Sequence, residues 1–360
     1  MEKPSVAVGM SGGVDSSVAA ALLQAQGYRV SGLTMRIWDG PSYASKGARH
    51  GCYGPSEEQD IADAEAVAAR LRIPFHVIDV RDEYRTEVLE YFRKEYQLGR
   101  TPNPCSRCNR AVKFGGLIAK ARKSGVMSDY FATGHYVRLI RDATSGRYVL
   151  RKGVDLAKDQ SYFLALLSQD QLAHSLFPLG TYTKAEVRTL AADLGLPVAK
   201  KRESQDFADP ECDMLPGDST PGPILDRQGR EIGRHSGIAR HTIGQRKGLG
   251  VSLGRPLYVA EIDAERNAVI VGDRSEIFGR SLVASEVNWI ALDGVDCPIV
   301  VSARIRYRHQ EAIARIRPLV KGEVLVEFVE PQMAITPGQT VVFYDGDVVL
   351  GGGIIERTKE

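Results

Sequence analysis

The pattern of apolar and polar positions changes character about two hundred residues into this chain. Before that point, short apolar runs alternate with longer stretches whose apolar positions recur every three or four residues. Ser5–Val8, Arg29–Thr34, Phe75–Val80 and Tyr130–Thr133 read as buried strands. Ser16–Gln26, Glu57–Leu71, Asp82–Tyr96 and Val112–Lys123 read as helices. This alternation predicts an α/β fold, a parallel sheet with helices on both faces and ligands at the carboxyl ends of its strands. Asp79, Gly134 and His135 fall at such ends. A hairpin is predicted around Thr144-Ser145-Gly146 and a helical region from Gln160 to Leu176. Thr183-Lys184-Ala185-Glu186 is a capping box, and Gly195 with Pro197 ends the helix it opens.

Beyond Phe207 the helical period disappears. Pro210, Pro216, Pro221 and Pro223 mark a loop or linker. Short β-patterned runs with Gly-rich turns follow, among them Ala268–Gly272, Ile299–Arg306 and Thr340–Tyr344. The expected division is a catalytic α/β domain over residues 1–206 and two small β domains over 207–280 and 281–360, with no internal repeat.

Composition adds bounds. A chain of 360 residues exceeds one ordinary core, and 43% apolar with 26% charged residues is a globular balance. No apolar run approaches membrane-spanning length, and the start Met1-Glu2-Lys3-Pro4 lacks the features of an export signal. The expectation is a cytoplasmic protein with no membrane partner. The five cysteines then read as reactive or metal-binding thiols, not a disulfide framework. A net charge of +2 does not announce a nucleic-acid binder, but the basic residues cluster between Asp226 and Arg255 and between Val301 and Pro318. In the second stretch Arg304, Arg306 and Arg308 alternate with Ala303, Ile305 and Tyr307. Period two would put three guanidinium groups on one strand face, suited either to solvent or to a phosphodiester backbone.

The segment Gly9-Met10-Ser11-Gly12-Gly13-Val14-Asp15-Ser16 lies between a predicted strand and a predicted helix. Loop N–H groups and the positive end of a helix dipole converge there on one anion. The glycines admit a phosphate, Ser11, Ser16 and Ser17 add donors, and Asp15 beside a polyphosphate suggests a bridging Mg2+. No G-K-[ST] occurs in the chain, so this is not a Walker loop. The pattern S-G-G-x-D-S resembles the PP-loop of the ATP pyrophosphatases, with their adenine nucleotide α-hydrolase-like fold. That likeness implies ATP cleaved between its α and β phosphates. A second feature is Thr101-Pro102-Asn103-Pro104-Cys105-Ser106-Arg107-Cys108, read as a proline-stiffened loop presenting Cys105 beside Arg107 and Arg110, which should lower its thiol pKa.

Together with Ala132-Thr133-Gly134-His135-Tyr136, Lys158-Asp159-Gln160-Ser161-Tyr162-Phe163, Leu176-Phe177-Pro178-Leu179-Gly180, the Thr242–Gly250 run and Pro337-Gly338-Gln339, these segments resemble the tRNA-specific 2-thiouridylases over nearly the whole chain. The resemblance implies a PP-loop domain followed by two small β domains, the last of them binding tRNA. It implies ATP-dependent thiolation of the wobble uridine of the tRNAs for Lys, Glu and Gln. The uracil C2 oxygen is adenylated, a sulfur nucleophile attacks C2, and AMP departs. Gly9–Ser16 with Met35 and Gly134 would hold ATP, with Asp15 among the catalytic groups. Thr101, Pro102 and Asn103 would border the uracil, with Cys105 as active-site cysteine. His135, Lys158, Asp159, Gln160, Arg306, Tyr307 and Gln339 would touch tRNA.

One departure matters. The best-studied relatives place a second, persulfide-carrying cysteine in an S-x-x-[IV]-C motif, whereas here Ser204-Gln205-Asp206-Phe207 precedes Ala208. Cys212 is one substitute, or an incidental loop cysteine. The other route is a [4Fe-4S] cluster held by Cys52, Cys105 and Cys108 with one iron open to sulfide. The cluster route asks for less, since three cysteines in strand-end loops converge by one loop closure. The sulfur donor, a protein or sulfide itself, is open. Cys297 and His76 read as packing residues, and His235 and His241 as candidates for the basic face. The rival readings are another PP-loop ligase and an RNA-binding protein with a decayed site.

Overall fold

The computed structural model describes residues 3–40, 51–201, 206–208, 220–251 and 254–359, with backbone alone for 51, 206–208 and 359. The chain divides into two compact units. The first is Met1–Val88, Cys105–Cys212 and Asp347–Val349; the second is Leu89–Pro104, Asp213–Gly346 and Leu350–Glu360.

The first unit is built from β1 (Ser5–Gly9), α1 (Val14–Ala25), β2 (Arg29–Arg36), β3 (Gly51–Tyr53), α2 (Glu57–Leu71) and β4 (Phe75–Asp79), then α3 (Arg81–Tyr84). A π-helical stretch, Arg85–Glu90, leads to α4 (Tyr91–Gln97) of the second unit. The first unit resumes with α5 (Pro104–Cys108), π-helical Asn109–Gly116 and α6 (Leu117–Lys123). It continues through β5 (Tyr130–Ala132), the hairpin β6 (Val137–Arg141) and β7 (Tyr148–Lys152), α7 (Ser161–Leu164), α8 (Gln169–Ala173), β8 (Ser175–Leu176), α9 (Lys184–Asp193) and β9 (Asp206–Ala208). The main sheet runs β4-β2-β1-β5-β8, all parallel. Val6, Ala7 and Val8 of central β1 are buried on both faces, as an unbroken apolar run in a parallel sheet requires. Small residues let α1 lie flat on this sheet, with Val18, Ala19 and Ala20 at 0% exposure.

Two sequence expectations need correction here. Gln160–Leu176 is not one helical region, because α7 and α8 are single turns and Ser175–Leu176 is the sheet's edge strand. A two-residue strand leaves no period to read. The cysteine segment is not a loop either. Pro104 starts α5, at the helical position where a missing N–H costs nothing.

The second unit carries two β bodies. One is the sheet β11-β10-β13-β12, from β10 (Gly222–Leu225), β11 (Glu231–His235), β12 (Tyr258–Asp263) and β13 (Ala268–Gly272), over a core of Ile224, Leu257, Val259, Val269 and Val271. The other consists of β14 (Phe278–Trp289), β15 (Ile299–Arg304), β16 (Ala312–Pro318), β17 (Val324–Met333), β18 (Thr340–Asp345) and β19 (Val348–Lys359). Here β14 pairs with both β17 and β19, so the run β14-β17-β16-β15-β18-β19 closes on itself as a barrel. Closure removes sheet edges. No helix among the described residues is long and apolar enough to cross a membrane.

Candidate active site

The N-terminal loop folds as its sequence requires. Gly13 is the residue before α1, in extended conformation and without a side-chain cap, so the first-turn N–H groups of a twelve-residue helix face the loop. Ser16 Oγ accepts from Ser11 N at 3.2 Å, and Ser17 Oγ donates to Gly13 O at 2.7 Å, which fixes the turn. Gly12 has φ +66°, and a Cβ there would lie 2.3 Å from the Asp60 carbonyl oxygen of α2. Gly134 closes the other side: a Cβ would lie 2.7 Å from backbone atoms of Asp15 and Ser16. Met10 is buried in the core and offers the loop only its backbone, while Met35 on β2 is half-buried.

Asp15 does not present an open carboxylate. Lys184 Nζ donates to its two oxygens at 2.7 and 2.8 Å, and Tyr136 Oη donates to Oδ1 at 2.7 Å. An oxygen pair so occupied does not fit the expected Mg2+ ligand. Lys184 is the functional candidate that sequence reading missed. Its signal was confined to a capping box, which Thr183 and Glu186 do form.

The thiols form the second feature of this unit. Cys105 and Cys108 are three residues apart on α5, hence on one helix face. Cys52 sits in β3, which pairs in parallel with β9 so that Tyr53 lies opposite Ala208. The three thiols lie near one another, and Lys113 lies near all three. Tyr84, 1% exposed and stacked on Tyr53 at 5.4 Å, faces the same sulfurs with a buried hydroxyl that has no hydrogen-bond partner among the described residues.

The expected lowering of the Cys105 pKa is reversed. Burial, with Cys52 nearby, pushes the thiol up to about 12 against a smaller opposing pull from Lys113. Burial pushes Cys108 up to about 11. Arg107 does not help, since its guanidinium pairs with Glu87 at 2.7 Å. No group of three His, Cys, Asp or Glu among the described residues could hold a single metal ion. A cluster asks for something else, one thiolate per iron with the sulfurs farther apart and donors for its sulfides. Cys52, Cys105 and Cys108 stand near one another and near the Lys113 ammonium.

Comparison with known proteins gives the family. A tRNA-specific 2-thiouridylase MnmA 1 of Caldanaerobacter subterraneus subsp. tengcongensis is 50% identical over 98% of this chain and 98% of its own. The MnmA of Moorella thermoacetica is 50% identical over 98% and 99%, and that of Heliobacterium modesticaldum 49% over 99% and 94%. The chain belongs to the tRNA-specific 2-thiouridylase family. Residues 4–208 match the family described as tRNA methyl transferase HUP domain, 214–273 its PRC-barrel domain, and 279–355 an aminomethyltransferase beta-barrel domain.

In this 2-thiouridylase chain the residues expected at tRNA fall into two groups. In the first unit, Asp159 is 3% exposed and accepts from Gly153 N, Ser161 N and Ser161 Oγ, and Gln160 Oε1 accepts from Tyr136 N. Both side chains brace their own turn, while Lys158 is half-buried. His135 meets Thr133 Oγ1 at 2.7 Å through Nδ1 and is held neutral, its pKa pushed by burial down to about 3. In the second unit, Gln339 Nε2 donates to the carbonyls of Thr101 and Pro102 at 2.9 and 3.0 Å. Thr101 Oγ1 also reaches Thr242 Oγ1 at 3.2 Å, so three motifs far apart in sequence meet at one turn, with Asn103 buried beside it.

The arginine face does not form. β15 ends at Arg304, whose guanidinium pairs with Glu311 at 2.7 Å and lies over the Tyr344 ring. The chain then bends. Arg306 turns inward to the Ile243 and Ala334 carbonyls and Thr336 Oγ1, Tyr307 is half-buried, and Arg308 alone of the three arginines is exposed. His235 and His241 are buried against each other, not on a basic face, with burial lowering both pKa values. Cys297 is exposed and His76 half-buried, so neither is a core residue. Cys212 lies outside the described residues.

Proposed function

We propose that this chain thiolates C2 of the wobble uridine in tRNA, the tRNAs for Lys, Glu and Gln being those its family resemblance implies, at the expense of ATP cleaved to AMP and pyrophosphate. The observation that carries the reading is the uncapped N-terminus of α1 behind Ser11-Gly12-Gly13 in a chain about half identical to named 2-thiouridylases along its whole length. The methyltransferase wording attached to the family matches would need no nucleotide cleavage, and a loop shaped for a phosphate anion favours the thiouridylase reading.

Gly9–Ser16, Met35 and Gly134 would hold ATP, the loop offering N–H groups to its phosphates. Thr101, Pro102 and Asn103 would border the uracil, with Gln339 shaping that turn through two carbonyls. Lys158, His135, Arg306 and Tyr307 are proposed to lie along the tRNA. The braces made by Asp159, Gln160 and Arg306 support positioning more than direct contact. Cys105 would handle sulfur, and Cys52, Cys105 and Cys108 would hold a [4Fe-4S] cluster. Such a cluster would supply an open iron where sulfide binds. Cys212 is the alternative sulfur carrier. We take residues 1–206, 207–280 and 281–360 as the three domains and the cytoplasm as the setting.

The test is direct. With purified tRNA, ATP and a sulfide source, the protein should release AMP and pyrophosphate in step with 2-thiouridine seen by mass spectrometry of digested tRNA. ADP and phosphate as products would overturn the reading. For the sulfur route, anaerobically purified protein should contain iron and acid-labile sulfide, and Cys52→Ala should abolish thiolation while Cys212→Ala leaves it. Full thiolation by iron-free protein with loss in Cys212→Ala would reverse that choice.

A further inference from the structure

Lys184 joins the phosphate loop to a helix 169 residues away in the chain. We propose that Lys184, and not a metal ion on Asp15, is the cation the protein itself brings to the phosphates of the nucleotide; this rests on the ATP reading above.

Charge is the first argument. The loop from Gly9 to Ser17 contains neither Lys nor Arg, so its positive potential comes only from backbone N–H groups. ATP brings several negative charges. Among the described ion pairs, the one that reaches the loop is Lys184 with Asp15, at 2.7 Å.

Position is the second. The ammonium is fixed at both ends of its side chain. At the root, Thr183 and Glu186 cap α9, and Lys184 N donates to Asp155 Oδ2 at 2.9 Å. Val187 and Ala191, both 0% exposed, seat the helix on the core. At the tip, Nζ meets both Asp15 oxygens and stands 5.7 Å from the centre of the Tyr136 ring. Asp15 belongs to the first turn of α1, so the tip is carried to the edge of the helix terminus. Only 8% of Lys184 is exposed.

Energetics is the third. The Lys184 side chain is 11% exposed and that of Asp15 32%, so desolvating the ammonium offsets part of a Coulomb attraction that solvent at the carboxylate already weakens, and the pair stabilises the fold little. Stability alone does not account for this pair at this place. An ammonium has three N–H donors and can serve Asp15 and a phosphate oxygen together. Tyr136 Oη keeps Asp15 oriented while it does so.

In the step concerned, the uracil O2 bonds to the α-phosphorus and the bond from that phosphorus to the α–β bridging oxygen breaks. Its electron pair leaves with pyrophosphate, and the N3 proton passes to solvent. Negative charge grows on the leaving group, where a fixed cation acts without reorganising. Lys184 makes no bond and transfers no proton.

The experiment combines calorimetric binding of α,β-methylene-ATP, tRNA-dependent pyrophosphate release and melting without nucleotide. Lys184→Met should weaken the analogue by about tenfold and slow pyrophosphate release by about a hundredfold, and Lys184→Arg should restore part of both. Asp15→Asn should slow release with an unchanged half-saturating Mg2+ concentration. The double variant Asp15→Asn with Lys184→Met removes both charges together. It should melt near the wild type and still bind the analogue weakly. Wild-type binding and turnover in Lys184→Met, or wild-type binding in the double variant, would reduce the pair to a brace. A large rise in required Mg2+ for Asp15→Asn would return the metal to Asp15. Wild-type protein that forms no pyrophosphate with tRNA would instead overturn the ATP reading beneath.

Discussion

Two lysines mark the two chemical regions of the first unit, and their partners differ. Lys184 faces the Asp15 carboxylate at the phosphate loop, whereas Lys113 faces Cys52, Cys105 and Cys108, of which burial keeps Cys105 and Cys108 protonated. In the first region the opposite charge is built in. In the second it appears only when a thiol loses its proton. Among the described residues Lys113 has no ion-pair partner beside the neutral Cys105 and Cys108, and every event that makes a thiolate or brings in an anionic sulfur species is favoured by it.

The largest effect that would sharpen this contrast is Cys105→Ser. Removing the proposed sulfur-handling thiol should lower 2-thiouridine formation by about a thousandfold or more, while tRNA-dependent pyrophosphate release stays within a few-fold. Mass spectrometry of the tRNA and a pyrophosphate assay on one sample settle both numbers. Parallel loss of the two activities would show that the regions do not act separately.

Gly134→Ala should do the reverse. Its Cβ would meet Asp15 and Ser16 backbone at 2.7 Å, and backbone cannot step aside as a side-chain tip can. Displacing the first turn of α1 should cost about 1–3 kcal/mol of stability. The same shift should weaken α,β-methylene-ATP by about tenfold, since it moves the N–H groups that face the anion. Alkylation of the cysteines should not change. An unchanged analogue affinity would mean that the loop tolerates the shift and that Gly134 is not part of the nucleotide seat.

What the sequence made legible follows the same division. The phosphate loop is eight contiguous residues between an apolar run and an apolar helix, so local pattern and chemistry were read together. The main sheet was equally plain, because Val6–Val8 and its parallel neighbours are unbroken apolar runs. The thiol region needed non-local information. The register of β3 against β9 places Cys52 one residue from the partner of Ala208, and no spacing rule predicts that pairing. Pro104 was read as a loop stiffener although it also fits the first position of a helix. The arginine alternation failed for a related reason, since a bend after Arg304 destroys the period that placed three guanidinium groups together. Lys184 looked like an ordinary first-turn residue because its partner is 169 positions away.

A smaller and cleaner separation comes from thiol reactivity in iron-free protein. With Cys105 at about 12 and Cys108 at about 11, alkylation of these two should be slow at pH 7 and rise roughly tenfold per pH unit up to pH 10, as the thiolate fraction does. Lys113→Met removes the nearby cation that holds both values down and should slow alkylation further at every pH. Rapid alkylation at neutral pH, or no response to Lys113→Met, would break the contrast between the two lysines. The linkage to stability has the matching sign. A thiol whose folded pKa is raised above 9.0 contributes stability that is present below pH 9 and is lost as pH climbs from there toward 12.

The smallest predicted effect lies at His135, which stands in the same unit and carries no charge at neutral pH. Its imidazole touches Thr133 Oγ1 and is surrounded by the Phe114 and Phe177 rings, so burial lowers its pKa from 6.5 to about 3. Lys113 adds a lesser push in the same direction. In the unfolded chain the ring takes a proton near pH 6.5; in the folded chain it refuses one until the pH is near 3. Folding therefore loses stability as pH falls through that window, and the stability is fully present above pH 6.5. A His135→Gln variant has no such proton to exclude. Urea melts should show its stability falling less than the wild type between pH 6.5 and 5, by about 1 kcal/mol after allowing for partial exposure. Its sulfur chemistry should keep the steep alkaline dependence set by the thiols. Should the wild type and His135→Gln lose stability in parallel on acidification, the histidine is not buried neutral, and the aromatic wall around it does not do what its geometry implies.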